Sequence, residues 1–257
     1  ISWITRIEMS TVLTESAKLP QRHLRLLSYN VQVGISSSRP IHYFTNMWKH
    51  LLPAGCRFSN LNRIASLLHG FDIVALQELD AGSHRTGFIN LTQYLAESAE
   101  FPFWYHQINR DYGKVAQHGN GLLCRYKPVE VTEHKLPGMI PGRGGVMARF
   151  GNSEHSLVVL LFHLALGKRT RRKQLDYISE VVNAHEHVIL MGDFNCEPGS
   201  KEMVQLFDST SLREPDCELK TFPSWRPIKN IDHILVSSHL SVQSCHVMHH
   251  AYSDHLP

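Results

Sequence analysis

Four times along this chain a short apolar run stops abruptly on a polar side chain. The run 24–27 leads to Ser28, Tyr29 and Asn30, and 71–76 leads to Gln77, Glu78 and Asp80. The run 156–162 ends on His163, while 188–191, after a break at Gly192, ends on Asp193 and Asn195. Such short runs, with so few charges, read as buried strands, because a helix needs a longer stretch with a period of about 3.6 residues. One polar strand end is only solvent contact. The same chemistry at several strand ends predicts a shared rim. In HVILMGDFNCEP, residues 187–198, Asp193 and Asn195 stand two apart, so on an extended chain both point to one side. An Asx-turn capping the strand is the plainer account of the same pair.

Helical patterns lie between the strands. Leu61, Ile64, Leu67 and Leu68 share a face, with Asn60 expected as the cap and Gly70 as the stop. Leu91, Tyr94 and Leu95 mark a second helix. Leu175, Ile178, Val181 and Val182 mark a third, opened by the basic run KRTRRK at 168–173, which reads as a solvated helix start. Ser200 caps a fourth, with Glu202 in its first turn where a negative charge suits the helix dipole. Residues 146–150 and 156–162 form a hairpin turned at Gly151 and Asn152, 109–117 reads as a polar loop, and His118 and Asn120, each before a glycine, shape a turn or touch substrate. Strands alternating with helices, plus hairpins, indicate an α/β layered sandwich.

Residues 1–20 read as a lead, partly non-native or flexible, and 21–257 as the folded domain, with a further strand expected after Asp254 and His255. Residues 35–58 read as a loop around Tyr43, Phe44 and Trp48, a flap or simply a packed insertion. Within it, 47–52 is the one stretch that could touch a membrane.

Composition narrows the function. A length of 257 residues with 42% hydrophobic content can bury a full core, and a net charge of +3 is too small to predict nucleic-acid binding by itself. Five Cys with no CxxC support neither a disulfide framework nor a zinc ribbon. The longest apolar run, 157–166, is interrupted by His163 and too short for a bilayer, and the N-terminus lacks the apolar core of a secretion signal. A soluble cytoplasmic protein, most simply a monomer, is the expectation.

The rim itself is informative. Asn30, Glu78, His163, Asp193 and Asn195 are joined by Asp232, at the start of the strand 231–236, and by Asp254 and His255, making four carboxylates, two imidazoles and two amides. An oxygen-rich set without Cys suits Mg²⁺ or Mn²⁺ better than zinc.

The ordered segments LLSYN, ALQELD, HGNGLL, FHLALG, MGDFN, IDHILV and SDHLP resemble the endonuclease/exonuclease/phosphatase (DNase-I-like) superfamily over roughly residues 24–257, nearest its bacterial metal-dependent hydrolases. The resemblance implies a four-layer αββα sandwich and Mg²⁺-dependent hydrolysis of phosphate esters. It implies Glu78 as the main metal ligand with Asn30 beside it and Asp254 on the metal side. His255 would be general base or electrostatic partner, oriented by Asp232. Asp193 would position the attacking water, Asn195 would steady a phosphoryl oxygen, and His163 would lie near the leaving group. The chain departs from the family where Phe162 replaces a small polar residue before that histidine. His118, Asn120 and Arg143 are candidate substrate contacts, Arg85 another cation able to reach a phosphate, and His233 a structural residue. A phosphodiesterase is expected, with a DNA or RNA nuclease and a sphingomyelinase-like lipid enzyme as alternatives. A catalytically dead binding module is disfavoured by so complete a set.

Overall fold

The computed structural model describes residues 5–9, 23–34, 55–138, 142–152, 154–216 and 219–257. Its strands are β1 (Thr5–Glu8), β2 (His23–Asn30), β3 (Ile73–Asp80), β4 (Phe103–Asp111), β5 (Gln117–Cys124), β6 (Glu130–Lys135), β7 (Gly144–Gly151), β8 (Ser156–His163), β9 (His187–Asp193), β10 (Leu212–Arg213), β11 (Asp232–Ser237) and β12 (Ser241–Ser244). The helices are α1 (Gly55–Leu68), α2 (Leu91–Ser98), α3 (Lys168–Asn183) and α4 (Lys201–Ser209). Two six-stranded sheets result, ordered β12-β1-β2-β3-β5-β4 and β10-β11-β9-β8-β7-β6. Each has one parallel pair at its middle, β2 with β3 and β8 with β9.

Alternation along the strands explains why they are apolar throughout. Leu157, Val159 and Leu161 of β8 and Ile189 and Met191 of β9 face the other sheet, where they meet Leu24, Leu26, Ile73 and Ala75. Val158, Leu160, Val188 and Leu190 face outward onto Leu175 and Ile178 of α3 and Met203 of α4. Val74 and Leu76 face outward onto Ile64 of α1 and Leu95 of α2. Every central strand is therefore buried on both faces, and the layers run helix, sheet, sheet, helix, the four-layer αββα sandwich expected. Each fully buried Leu or Ile contributes roughly 1.5–3 kcal/mol.

Several local expectations give way. Thr5–Glu8, inside the supposed lead, is a sheet strand between β2 and β12, with Ile7 and Met9 buried. Its short in–out alternation has a partner only because β12 returns from the other end of the chain. Helix α1 begins before Asn60, so Asn60 is no cap. Its buried amide instead donates to the carbonyls of Gly34 (3.1 Å) and Tyr252 (2.7 Å). The predicted loop 109–117 is strand at both ends, at 109–111 and at 117, leaving 112–116 as the turn. HGNG lies within β5, and its glycines answer to crowding: a Cβ on Gly119 would fall 2.2 Å from the Gln107 carbonyl oxygen. The loop proposed around Trp48, including 47–52, lies outside the described residues up to residue 54, and the remainder opens α1.

Candidate active site

Register places three of the predicted residues in one row. His163 of β8 is opposite Asp193 of β9, and Asp193 is opposite Asp232 of β11. All three follow the inward parity of Leu161, Met191 and Ile234, so they continue the inner face of the sheet where its apolar residues run out. Asn30, with the parity of Leu26 on β2, meets them from the opposite sheet, its Nδ2 donating to Asp193 Oδ2 at 3.1 Å. Glu78 arrives by a different route. Strict alternation would send it outward with Leu76, but β3 bulges between Leu76 and Leu79 and Glu78 takes φ 58, which turns it into the cleft. Asp254 and His255 come from the segment after β12. It is tied down by Ser224 N–H on the Asp254 carbonyl (2.7 Å) and by Leu256 N–H on the Thr221 carbonyl (2.8 Å).

The geometry centres on Asp193, which is 2% exposed. Its Oδ2 lies 3.5 Å from His163 Nε2 and 4.0 Å from His255 Nε2, and its Oδ1 accepts the Asn195 backbone N–H at 2.9 Å. Burial, reinforced by the Asp232 charge and moderated by His255 and Asn30, pushes Asp193 up to about 7. The two imidazoles beside it are opposites. Burial opposes a charge on His255, yet Asp232, bonded to its Nδ1 at 2.8 Å, with Asp193 and Asp254, carries it up to about 10. Burial, then the Arg143 charge, depresses His163 well below the ordinary histidine value. Arg143 bonds to His163 Nε2, so that nitrogen is the acceptor and the ring proton sits on Nδ1. Burial, held back by His255 and strengthened by the Glu78 charge, raises Asp254 to about 6.

Glu78, His163, Asp193, Asp254 and His255 open into a cleft of about 820 Å³ lined also by Arg143, Lys168, Lys229, Leu166 and Phe222. Asn195 lines it too, but not as extended geometry requires. Strand β9 ends at Asp193, Asn195 has φ 54, and its N–H closes an Asx-turn on Asp193 while its amide donates to the Leu164 carbonyl at 3.0 Å. The extended chain thus stops short of Asn195, and a turn rather than strand alternation brings both residues to the same cleft. Asn120 is fully enclosed and lines neither this cleft nor the smaller one beside it; its amide donates to the Gly144 carbonyl and braces one sheet against the other. His118 lines an adjoining smaller cleft, with Arg143 at the border of both. Arg85 is buried against Asp80 at 2.5 Å, and His233 is buried between Glu214 and the Cys196 carbonyl. Within KRTRRK, Arg171 is no solvated residue: it is 4% exposed and pairs with Glu202 at 2.7 Å.

Two contributors were missed. Thr221 donates its hydroxyl to Asp232 Oδ2, and the Phe222 ring lies 4.8 Å from that of His255. The sequence marks 221–227 only as an aromatic, proline-bearing loop, with nothing to tie it to Asp232.

A divalent cation fits the carboxylate side. Glu78 and Asp254 line the same cleft, close enough for the Glu78 charge to raise the proton affinity of Asp254, a repulsion that a cation would relieve, and Asn30 Oδ1 accepts one hydrogen bond, from Gln32 N–H. Asp193, Asp232 and His255 also bring ligand atoms within 4.8 Å of one another. There Asp232 Oδ2 already serves two partners, the Thr221 hydroxyl and His255 Nδ1.

The model of the Endonuclease/Exonuclease/phosphatase family matches residues 27–255. The chain belongs to that family. Endonuclease/Exonuclease/phosphatase proteins are generally hydrolytic phosphoesterases and typically metal-dependent. Solved structures share the fold at low identity. An endonuclease/exonuclease/phosphatase from Beutenbergia cavernae DSM 12333 has 18% identity and a TM-score of 0.69, covering 91% of this chain and 69% of that one. The mannosyl-6-phosphatase Bt3783 of Bacteroides thetaiotaomicron VPI-5482 has 18% identity and a TM-score of 0.62, covering 90% and 96%. Sphingomyelinase C from Streptomyces griseocarneus has 16% identity and a TM-score of 0.59, covering 84% of each. Comparison with curated proteins finds no match. Among the described residues no helix is long and apolar enough to cross a membrane.

Proposed function

We propose that this chain hydrolyses phosphate esters, phosphodiesters foremost, by in-line attack of water, with Mg²⁺ or Mn²⁺ held by Glu78, Asp254 and Asn30 Oδ1. One observation carries the reading: a buried carboxylate, Asp193, 4.0 Å from an imidazole whose Nδ1 lies 2.8 Å from Asp232, in one cleft with Glu78 and Asp254. A general base works best with its pKa near the operating pH, where it contributes about 10²- to 10⁴-fold. Asp193 fills that role, positioning the water and taking its proton. His255, charged up to about pH 10, is no base at neutral pH. It donates from Nε2 to a phosphoryl oxygen, and Asp232 fixes the tautomer by accepting from Nδ1. Arg143 adds a guanidinium on the same side, with neutral His163 as its acceptor. Asn195 borders the phosphate with an amide that adds no charge. A cation held by Glu78, Asp254 and Asn30 would supply neutralisation of the charge growing on the phosphoryl oxygens.

The test is hydrolysis of bis-p-nitrophenyl phosphate with Mg²⁺ or Mn²⁺, abolished by EDTA. Absence of turnover with every divalent ion tried would overturn the proposal. Glu78→Gln shifts the Mg²⁺ titration to higher concentration, and an unmoved titration removes Glu78 as a ligand. A panel of plasmid DNA, abasic-site duplex, RNA, sphingomyelin and inositol phosphates then separates nuclease, lipid and small-ester substrates.

A further inference from the structure

The smaller cleft, about 190 Å³, shares Glu78, Arg143 and His163 with the main one, while Asp193 and His255 line only the larger. Its remaining walls come chiefly from the β4–β5 hairpin, through Arg110, Tyr112 and His118. Backbone geometry draws two guanidinium groups together here. Gly142 has φ 109, and a Cβ on it would fall 2.1 Å from Arg110 Cγ, so the Arg110 stem lies against the Gly142 backbone, one residue from Arg143. The Arg110 charge is felt at Arg143, His163 and His118. Tyr112, 58% exposed, stands edge-on to His118 with ring centroids 6.3 Å apart. Among the described residues of this lining, Arg110 and Arg143 supply two guanidinium groups and Glu78 a carboxylate, which the proposed chemistry commits to the cation.

We propose that this small cleft is a subsite for a second anionic group of the substrate, a phosphate or carboxylate, gripped by Arg110 and Arg143 while the reacting phosphorus sits over Asp193. Planar guanidinium forks match the oxygens of such a group two at a time. The inference rests on the phosphoesterase reading and narrows it: the preferred substrate carries two anions joined by a spacer that crosses the Glu78–Arg143–His163 border.

The probes are α,ω-alkane bisphosphonates with spacers of about two to six carbons, each compared with the monophosphonate of the same chain length, at fixed free Mg²⁺. They compete against bis-p-nitrophenyl phosphate on the metal-loaded chain. At one or two spacer lengths the bisphosphonate inhibits at least about tenfold more strongly than its monophosphonate, as charge-assisted hydrogen bonds to one added anion allow. Arg110→Ala erases that margin, Arg110→Lys restores part of it, and Gly142→Ala, which displaces the Arg110 stem, reduces it. The proposal is overturned if no spacer length shows a margin, or if the margin persists in Arg110→Ala. If bis-p-nitrophenyl phosphate is not turned over at all, the catalytic reading fails separately. The same probe pairs, titrated calorimetrically into the metal-loaded chain, then decide the subsite on binding alone.

Discussion

Two buried aspartates, each at the end of a strand in a different sheet, have opposite fates. Asp80 accepts six hydrogen bonds: from the backbone of Gly82, Ser83 and Gln117, from the hydroxyls of Ser83 and Thr86, and from Arg85 at 2.5 Å. Burial alone would raise it, but the Ser83 and Gly82 hydrogen bonds and the Arg85 charge bring it down to about 2. Asp193, no more exposed than a core leucine, has two hydrogen-bond donors among the described residues and a second carboxylate behind it, and rises to about 7. Desolvation acts on both, and the supply of donors decides the sign. Asp80 stabilises the fold as an anion. Asp193 is left wanting a proton, which is what a base requires.

The comparison breaks most sharply under substitution. Asp193→Asn is expected to lower kcat by about 10²- to 10⁴-fold while leaving Tm equal or higher, since a strained buried charge disappears. A fall in Tm with normal turnover would reverse the roles. Asp80→Ala is expected to do the opposite, costing about 3–5 kcal/mol of stability by stranding the buried Arg85, as read from urea midpoints, with near-normal turnover in the fraction that folds.

Acid titration sharpens the same contrast. The Asp80 value is depressed when folded, so its contribution, roughly 2 kcal/mol, is fully present above the ordinary value of 3.8 and is lost as pH falls through about 2. The wild type therefore shows a drop in Tm across that window which Asp80→Asn lacks. For activity, kcat/KM rises as Asp193 sheds its proton near pH 7 and declines only as His255 loses its own near pH 10. A flat profile through neutrality would remove Asp193 as the base. The smallest effect expected is from Thr221→Val, which takes one hydrogen bond from Asp232 and lowers kcat/KM about three- to tenfold, corresponding to roughly 1 kcal/mol.

Much of this is legible in the sequence. Buried strands announce themselves by unbroken apolar runs, and the residues that end them, Asn30, Glu78, His163 and Asp193, do gather at one mouth of the sandwich. Asn120 could not be judged that way, because its enclosure depends on Gly144 from the other sheet. Arg171 looked like surface charge because its partner Glu202 lies 31 residues away on another helix.

What the amino-acid order determined by itself is the inventory: strands without charges, the polar group at the end of each, and helices between them, all set by neighbours within a few residues. What only tertiary structure decided is how those groups act. The bulge that turns Glu78 inward, the row of His163, Asp193 and Asp232, and the reach of Thr221 to Asp232 are products of register and sheet packing. The charge states follow from the same cause, because proton affinity answers to desolvation and to charges a few ångströms away, and those distances exist only once separated strands have met.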